Sequence, residues 1–168
     1  MSRQHVVEEL YQGEVFGEAL FNRMLRDADD DRQRHVVASL LQLETETKAL
    51  LCQAVAARRL RLEEDEAQRA SGETIAASLG DLTWLDKMER LRAGIADHFL
   101  PRYQRIAAEA EADDREVTAL MVRHEAALLE SSPARPPARS RRRSPRSQST
   151  CTTRCPHPAE RRSPAADR

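Results

Sequence analysis

The stretch LLQLETETKALL, residues 40–51, decides how this chain is read. Leu40, Leu41, Thr47, Leu50 and Leu51 recur at helical spacing and trace one apolar stripe. Glu44 stands three or four residues from Leu40, Leu41 and Thr47, so it shares that stripe. A carboxylate taken out of water without a partner is strongly destabilising. Either this face is not buried, or something inside the protein compensates Glu44.

The surrounding pattern predicts a helix from about Asp31 to Arg59, with Val37, Leu40, Leu41, Leu51, Ala54 and Val55 inward. Cys52 lies on an apolar helix face and is expected to be a buried thiol. Upstream, residues 3–27 predict a first helix whose face is Val7, Leu10, Tyr11, Phe21 and Leu25, with Leu20 and Met24 at its edge. The acidic run DADDD, residues 27–31, suits the capped start of the second helix. A long connection, residues 60–81, predicts two short helical pieces, with Gly72 and Gly80 as punctuation. A third helix is expected from Asp81 or Thr83 to Glu109, kinked near Leu100 by Pro101. Asp113 or Asp114 caps a fourth, whose inner face is Val117, Leu120, Met121 and Leu128.

Composition agrees with an all-α reading. Of 168 residues, 40% are apolar and 33% charged, with 5 Gly, 3 Phe, 2 Tyr and 1 Trp. No apolar run is long enough to span a membrane, and MSRQHVVEEL carries charges where a signal peptide needs its apolar region. A cytoplasmic protein is expected. Two helix hairpins joined by one long connection predict an antiparallel four-helix bundle, residues 1–130, whose connection between helices 2 and 3 crosses back along the bundle. A plain up-down-up-down bundle is the competing topology.

The charge is divided. Residues 1–130 hold 17 Lys+Arg against 26 Asp+Glu, net −9, whereas residues 131–168 hold 10 Arg against 2 acids, net +8. The second segment contains seven of the eight Pro and none of the Leu, Ile, Val, Phe or Met, so a disordered tail is expected. It begins while the fourth helix is still laying down its apolar face at Leu128 and Leu129, and its composition is that of GC-rich coding sequence read out of frame. We read it as a frameshift product or a replaced C-terminus. ARSRRRSPR, residues 138–146, suits polyanion or nucleic-acid phosphate but offers no aromatic residue for stacking. Cys151, Cys155 and His157 fall short of the four paired ligands of a structural zinc site.

Glu44 has company. Glu14 stands between Leu10, Tyr11 and Phe21, with Glu18 one turn on; Glu125 follows Met121 by four; His98 follows Ile95 by three. Several helices thus each send an ionisable group toward the axis. The segments YQGEVFGEALF, LLQLETETKALL and ALMVRHEAALLE together resemble the ferritin-like superfamily, in particular small bacterial ferritin-like proteins of poorly defined function, over residues 6–130. The resemblance implies a non-haem iron or manganese site, with Glu14 or Glu18, Glu44 and Glu125 as its carboxylates and His98 as a nitrogen ligand, and a homodimer as a common assembly. The sequence departs from the superfamily's Glu-x-x-His pattern: Thr47 and Leu128 stand where histidines belong. His124, next to Glu125, is expected about 100° away around the helix.

The alternative is a metal-free polar network that fixes register. Glu44 would then pair with Lys48, Arg102 or Arg105, and Tyr11 and Tyr103 would hydrogen-bond Glu14 and Glu44. Gly13 and Gly17 fit close packing, with Trp84 as a candidate neighbour. With the ligand set degenerate, the expected function is a non-catalytic structural or interaction protein. Iron or manganese binding and oxidation is the alternative, and polyanion binding through the tail a third. No phosphate loop, catalytic triad or H-E-x-x-H motif is present.

Overall fold

The computed structural model describes residues 3–132, and no strand occurs among them. The tail reading, with its arginine run and its Cys151, Cys155 and His157, lies outside the described residues. Among those described, no helix is long and apolar enough to cross a membrane.

Helix α1 (Arg3–Arg26) and helix α2 (Asp31–Ala57) keep the predicted bounds to within two residues. The acidic run caps as expected: Gln33 N–H donates to the Asp30 carboxylate at 2.8 Å. Helix α2 ends in a Schellman turn. Leu60 N–H reaches Val55 O at 3.1 Å and Arg59 N–H reaches Ala56 O at 3.0 Å, with Arg59 left-handed at φ 54°. The buried stripe of α2 is Val37, Leu40, Glu44, Thr47, Leu51 and Val55. Two expectations fail at its margin. Cys52 is exposed and Leu50 is 45% exposed, because each is one position, about 100°, off Leu51.

The connection holds one helix, α3 (Glu66–Ser78), rather than two pieces. Gly72 is not punctuation. It sits in mid-helix, where a Cβ would collide with the Phe16 carbonyl of α1 and lie 3.2 Å from Ala19 Cβ. This close approach lets α1 pack as heavily against α3 as against α2.

Helix α4 (Trp84–Gly94) is capped by Thr83, whose hydroxyl accepts from Asp86 N–H at 3.3 Å. A π-helical turn, Ile95–Phe99, follows and leads into helix α5 (Leu100–Ala108). Leu100 N–H bonds back five residues to Ile95 O. Pro101 has no N–H for the carbonyl four residues before it, and its ring would strike that carbonyl in a regular α-turn. The wider turn stands where the sequence predicted a kink.

Helix α6 (Arg115–Ser131) begins after a 3₁₀ turn, Ala112–Asp114. Asp114 is buried, but its side chain accepts from Arg58 at 3.0 Å instead of capping α6. At the other end Arg92 donates to the carbonyls of Leu129 and Ser132, so the last turn of α6 has a partner for its free acceptors.

The core is two apolar clusters with a polar layer between them along the helices. One contains Leu20, Met24, Val37, Leu40, Met88, Leu91 and Leu128; the other contains Val7, Leu10, Leu51, Val55, Tyr103, Val117 and Met121. At or next to the junction of the two on α1, α2 and α6 stand Glu14, Glu44, Thr47, His124 and Glu125, all buried.

Gly72→Ala tests the α1–α3 contact. In an exposed helix it would stabilise by about 1 kcal/mol. Here the collision is with backbone, so the denaturant midpoint should fall instead, while Gly94→Ala, whose Cβ meets nothing within 4 Å, should raise it.

Candidate metal centre

The polar layer is built by three helices. Glu14 projects from α1 between Leu10 and Val15, Glu44 from α2 between Leu40 and Leu51, and His124 from α6 between Met121 and Leu128. One ligand-type atom from each lies within 4.8 Å of the others. His124 Nε2 is 3.5 Å from Glu14 Oε1 and 3.5 Å from Glu44 Oε2. That is longer than a charge-assisted hydrogen bond. It matches the roughly 3.0–3.5 Å separating two ligands that each sit about 2.1 Å from one ion. Glu14 Oε2 and His124 Nε2 are buried without any hydrogen-bond partner. Such atoms are rare in folded proteins and cost about 1–3 kcal/mol each.

The other imidazole nitrogen is occupied. His124 Nδ1 and Thr47 Oγ1 are hydrogen-bonded at 2.9 Å, both buried. When Nδ1–H donates to the Thr47 hydroxyl, Nε2 presents its lone pair to the carboxylates. This is the orienting bond that metal-binding histidines usually make.

Burial first, and then the neighbouring Glu44 charge, hold the Glu14 carboxyl well above its usual range, and a Glu14–Glu44 hydrogen bond reinforces the shift. Two carboxyl groups can make that bond only if one keeps a proton. Glu125 is pushed up to about 8 by burial and by Glu44. Tyr103 is pushed well up by burial, then by the charges of Glu125 and Glu14.

Glycine makes the room. A Cβ on Gly17 would strike the Glu44 carboxylate, and one on Gly13 would strike the Tyr103 hydroxyl. The close packing expected of these two glycines is therefore against Glu44 and Tyr103; it is not against Trp84.

The five predicted ligands separate. Glu14 and Glu44 meet; Glu125 is buried beside them. Glu18 does not join. It faces the flank, where Lys48 bonds both Glu18 and, at 2.9 Å, Glu64 from the connection; Arg69 of α3 pairs with Glu64 in turn. The expected Glu44–Lys48 pair is absent for that reason, and Arg102 is committed to Glu9 at 2.7 Å. His98 is exposed. It lies in the π-turn, which takes about one more residue per turn than an α-turn, so Phe99 rather than His98 packs against the core after Ile95.

His124 replaces His98 and corrects the expectation that it points away. Val117, Met121, His124 and Leu128 recur at spacings of four, three and four, a heptad seam that includes the histidine. The buried face of α6 is wide enough to take both His124 and Glu125. No family model matches the chain, and no curated protein or solved structure does.

In chain stripped by chelator, Glu14 and Glu125 keep protons when folded that they release when unfolded. For Glu125 the folded state then binds more protons between the ordinary value of 4.5 and about 8, and Glu14 acts in the same direction. This contribution to stability is complete below the unfolded pKa and is lost as pH rises through the folded one. The denaturant midpoint should fall across that interval, and Glu125→Gln should flatten the fall. A wild-type slope identical to that of Glu125→Gln would remove Glu125 from this account.

Proposed function

We propose that this chain is a ferritin-like metal-binding protein in which Glu14, Glu44 and His124 hold one divalent transition-metal ion, with Glu125 as the adjacent carboxylate. The observation that carries the reading is the buried, partnerless pair Glu14 Oε2 and His124 Nε2 in a ring of ligand-type atoms. Two carboxylates and an imidazole suit Fe(II) or Mn(II), with Zn(II) as competitor. The ion would compensate carboxylates that otherwise need shared protons, and Thr47 would fix the tautomer that leaves Nε2 free.

The proposal extends to architecture: an antiparallel four-helix bundle with one crossover. The order in which the helices meet the two apolar clusters supports it. Helices α1 and α6 pass from the Val7–Val117 cluster to the Leu20–Leu128 cluster; α2 and the α4–α5 run pass the other way. Helices 2 and 3 of the bundle would then run parallel, which needs a connection that returns along its length, and α3 lies in that connection. A homodimer, and polyanion contact through the residues beyond 132, are separate proposals from the sequence.

A second reading is favoured by the tendency of the buried Glu14 and Glu125 to hold protons. The layer would be a proton-sharing network that sets helix register, and the protein a structural or interaction module. Metal content decides between them. The full chain, loaded with Fe(II) or Mn(II) under anaerobic conditions and desalted, should retain about one ion. Glu44→Ala and His124→Ala should lose it, whereas Glu18→Ala and His98→Ala should keep it. Gly17→Ala, by displacing the Glu44 carboxylate, should weaken binding about tenfold or more. A folded wild-type chain that retains no metal leaves the proton-sharing network as the function of the layer.

A further inference from the structure

A buried ion site needs a route to solvent. Beside the polar layer lies a cleft of about 460 Å³, bounded by α1, α3, the π-turn and α5. Its mouth carries His5, Glu8 and Glu9; its floor is Gly13, Phe16, Phe99 and Tyr103. Tyr103 belongs to both spaces. It lines the cleft, yet it is only 2% exposed, and its phenol lies within electrostatic reach of Glu125, Glu14 and Glu44. Its hydroxyl occupies the position that a Cβ on Gly13 would take, and Glu14 is the next residue. The partition between cleft and carboxylates at this point is thus one phenol ring laid over a glycine.

We infer that this cleft is the route by which the divalent cation reaches Glu14, Glu44 and His124, with Tyr103 as its inner gate. The inference rests on the metal-binding reading above. Glu8 places negative charge at the mouth, which raises the local concentration of a cation, while the charge of Glu9 is matched by Arg102 in the same lining. Glu9 also takes the bond from Arg102, next to Tyr103 on α5, and so ties the gate-bearing helix to α1 across the cleft. The gate moves when the Tyr103 ring turns away from Gly13. Gly13 supplies the clearance for the ring, and a side chain there would hold the phenol off its seat.

A gate changes rates in both directions and leaves the bound state alone. The experiment is stopped-flow Co(II) uptake by the full chain, paired with release into excess chelator. Tyr103→Ala should accelerate uptake and release together by about tenfold or more, with Kd changed less than about threefold. Glu8→Gln should slow uptake in low salt and lose that effect in high salt. Leu128→Ala serves as the control for general loosening, because Leu128 lies in the other apolar cluster and off the cleft. Co(II) that binds at equilibrium with rates indifferent to Tyr103→Ala, or equally accelerated by Leu128→Ala, overturns the route and leaves the site standing. Absence of Co(II) from the wild-type chain overturns both.

Discussion

Three carboxyl groups and an imidazole occupy a dry layer between two apolar clusters, and the rest of the molecule is arranged around making that tolerable. Like charges in a low-dielectric interior repel far more strongly than at a surface. The layer therefore exists only with protons, a cation or both. The Glu14–Glu44 hydrogen bond answers with a proton, and the raised Glu125 value answers in the same way. Neither gives Glu14 Oε2 or His124 Nε2 a hydrogen-bond partner. That residual mismatch is what a metal ion would resolve, and it is why the layer reads as a binding site more readily than as a finished structural network.

The neighbouring side chains fit this division of labour. Lys48 is the nearest cation along α2 and could have neutralised Glu44 at one helical turn. It is drawn instead to Glu18 and Glu64 on the flank, where it joins α1, α2 and the connection before α3. Glycines at 13 and 17 thin α1 where the Tyr103 hydroxyl and the Glu44 carboxylate press on it. Thr47 holds the imidazole from behind. Each is a small adjustment, and together they keep the layer compact with Lys48 held outside it.

The helices were legible in the sequence because their apolar positions recur over many turns and their ends carry Asp and Thr caps. Glu14, Glu44 and Glu125 were legible for the same reason: each interrupts an apolar stripe. The helix α3 was misread because Gly72 signals a break locally, and only the opposing Phe16 carbonyl explains a mid-helix glycine. His98 and His124 were exchanged for two reasons. One π-turn shifts the angular phase after Ile95, and nothing in the residues of that turn announces it except the proline beyond. The heptad seam through Val117, Met121, His124 and Leu128 was present in the sequence, but choosing Glu125 as the inward residue hid it. Lys48 is a case of competition: its i−4 partner is correct by spacing, yet two carboxylates from other elements bind it.

The π-turn has a consequence for how this chain tolerates changes in length. It carries surplus backbone relative to a regular helix, and that surplus sets the rotational phase of everything from Leu100 to Ala108. Loss of one residue there would let the helix run on as a regular α-helix with α5 close to its present phase, whereas the same loss from a regular turn of α4 would rotate α5 by about 100°. Tyr103 and Ile106 would swing off their partners although no core residue had been substituted. Residues 95–99 are thus the point in this run where a one-codon deletion is absorbed, while the same deletion a turn earlier in α4 would be read in the core.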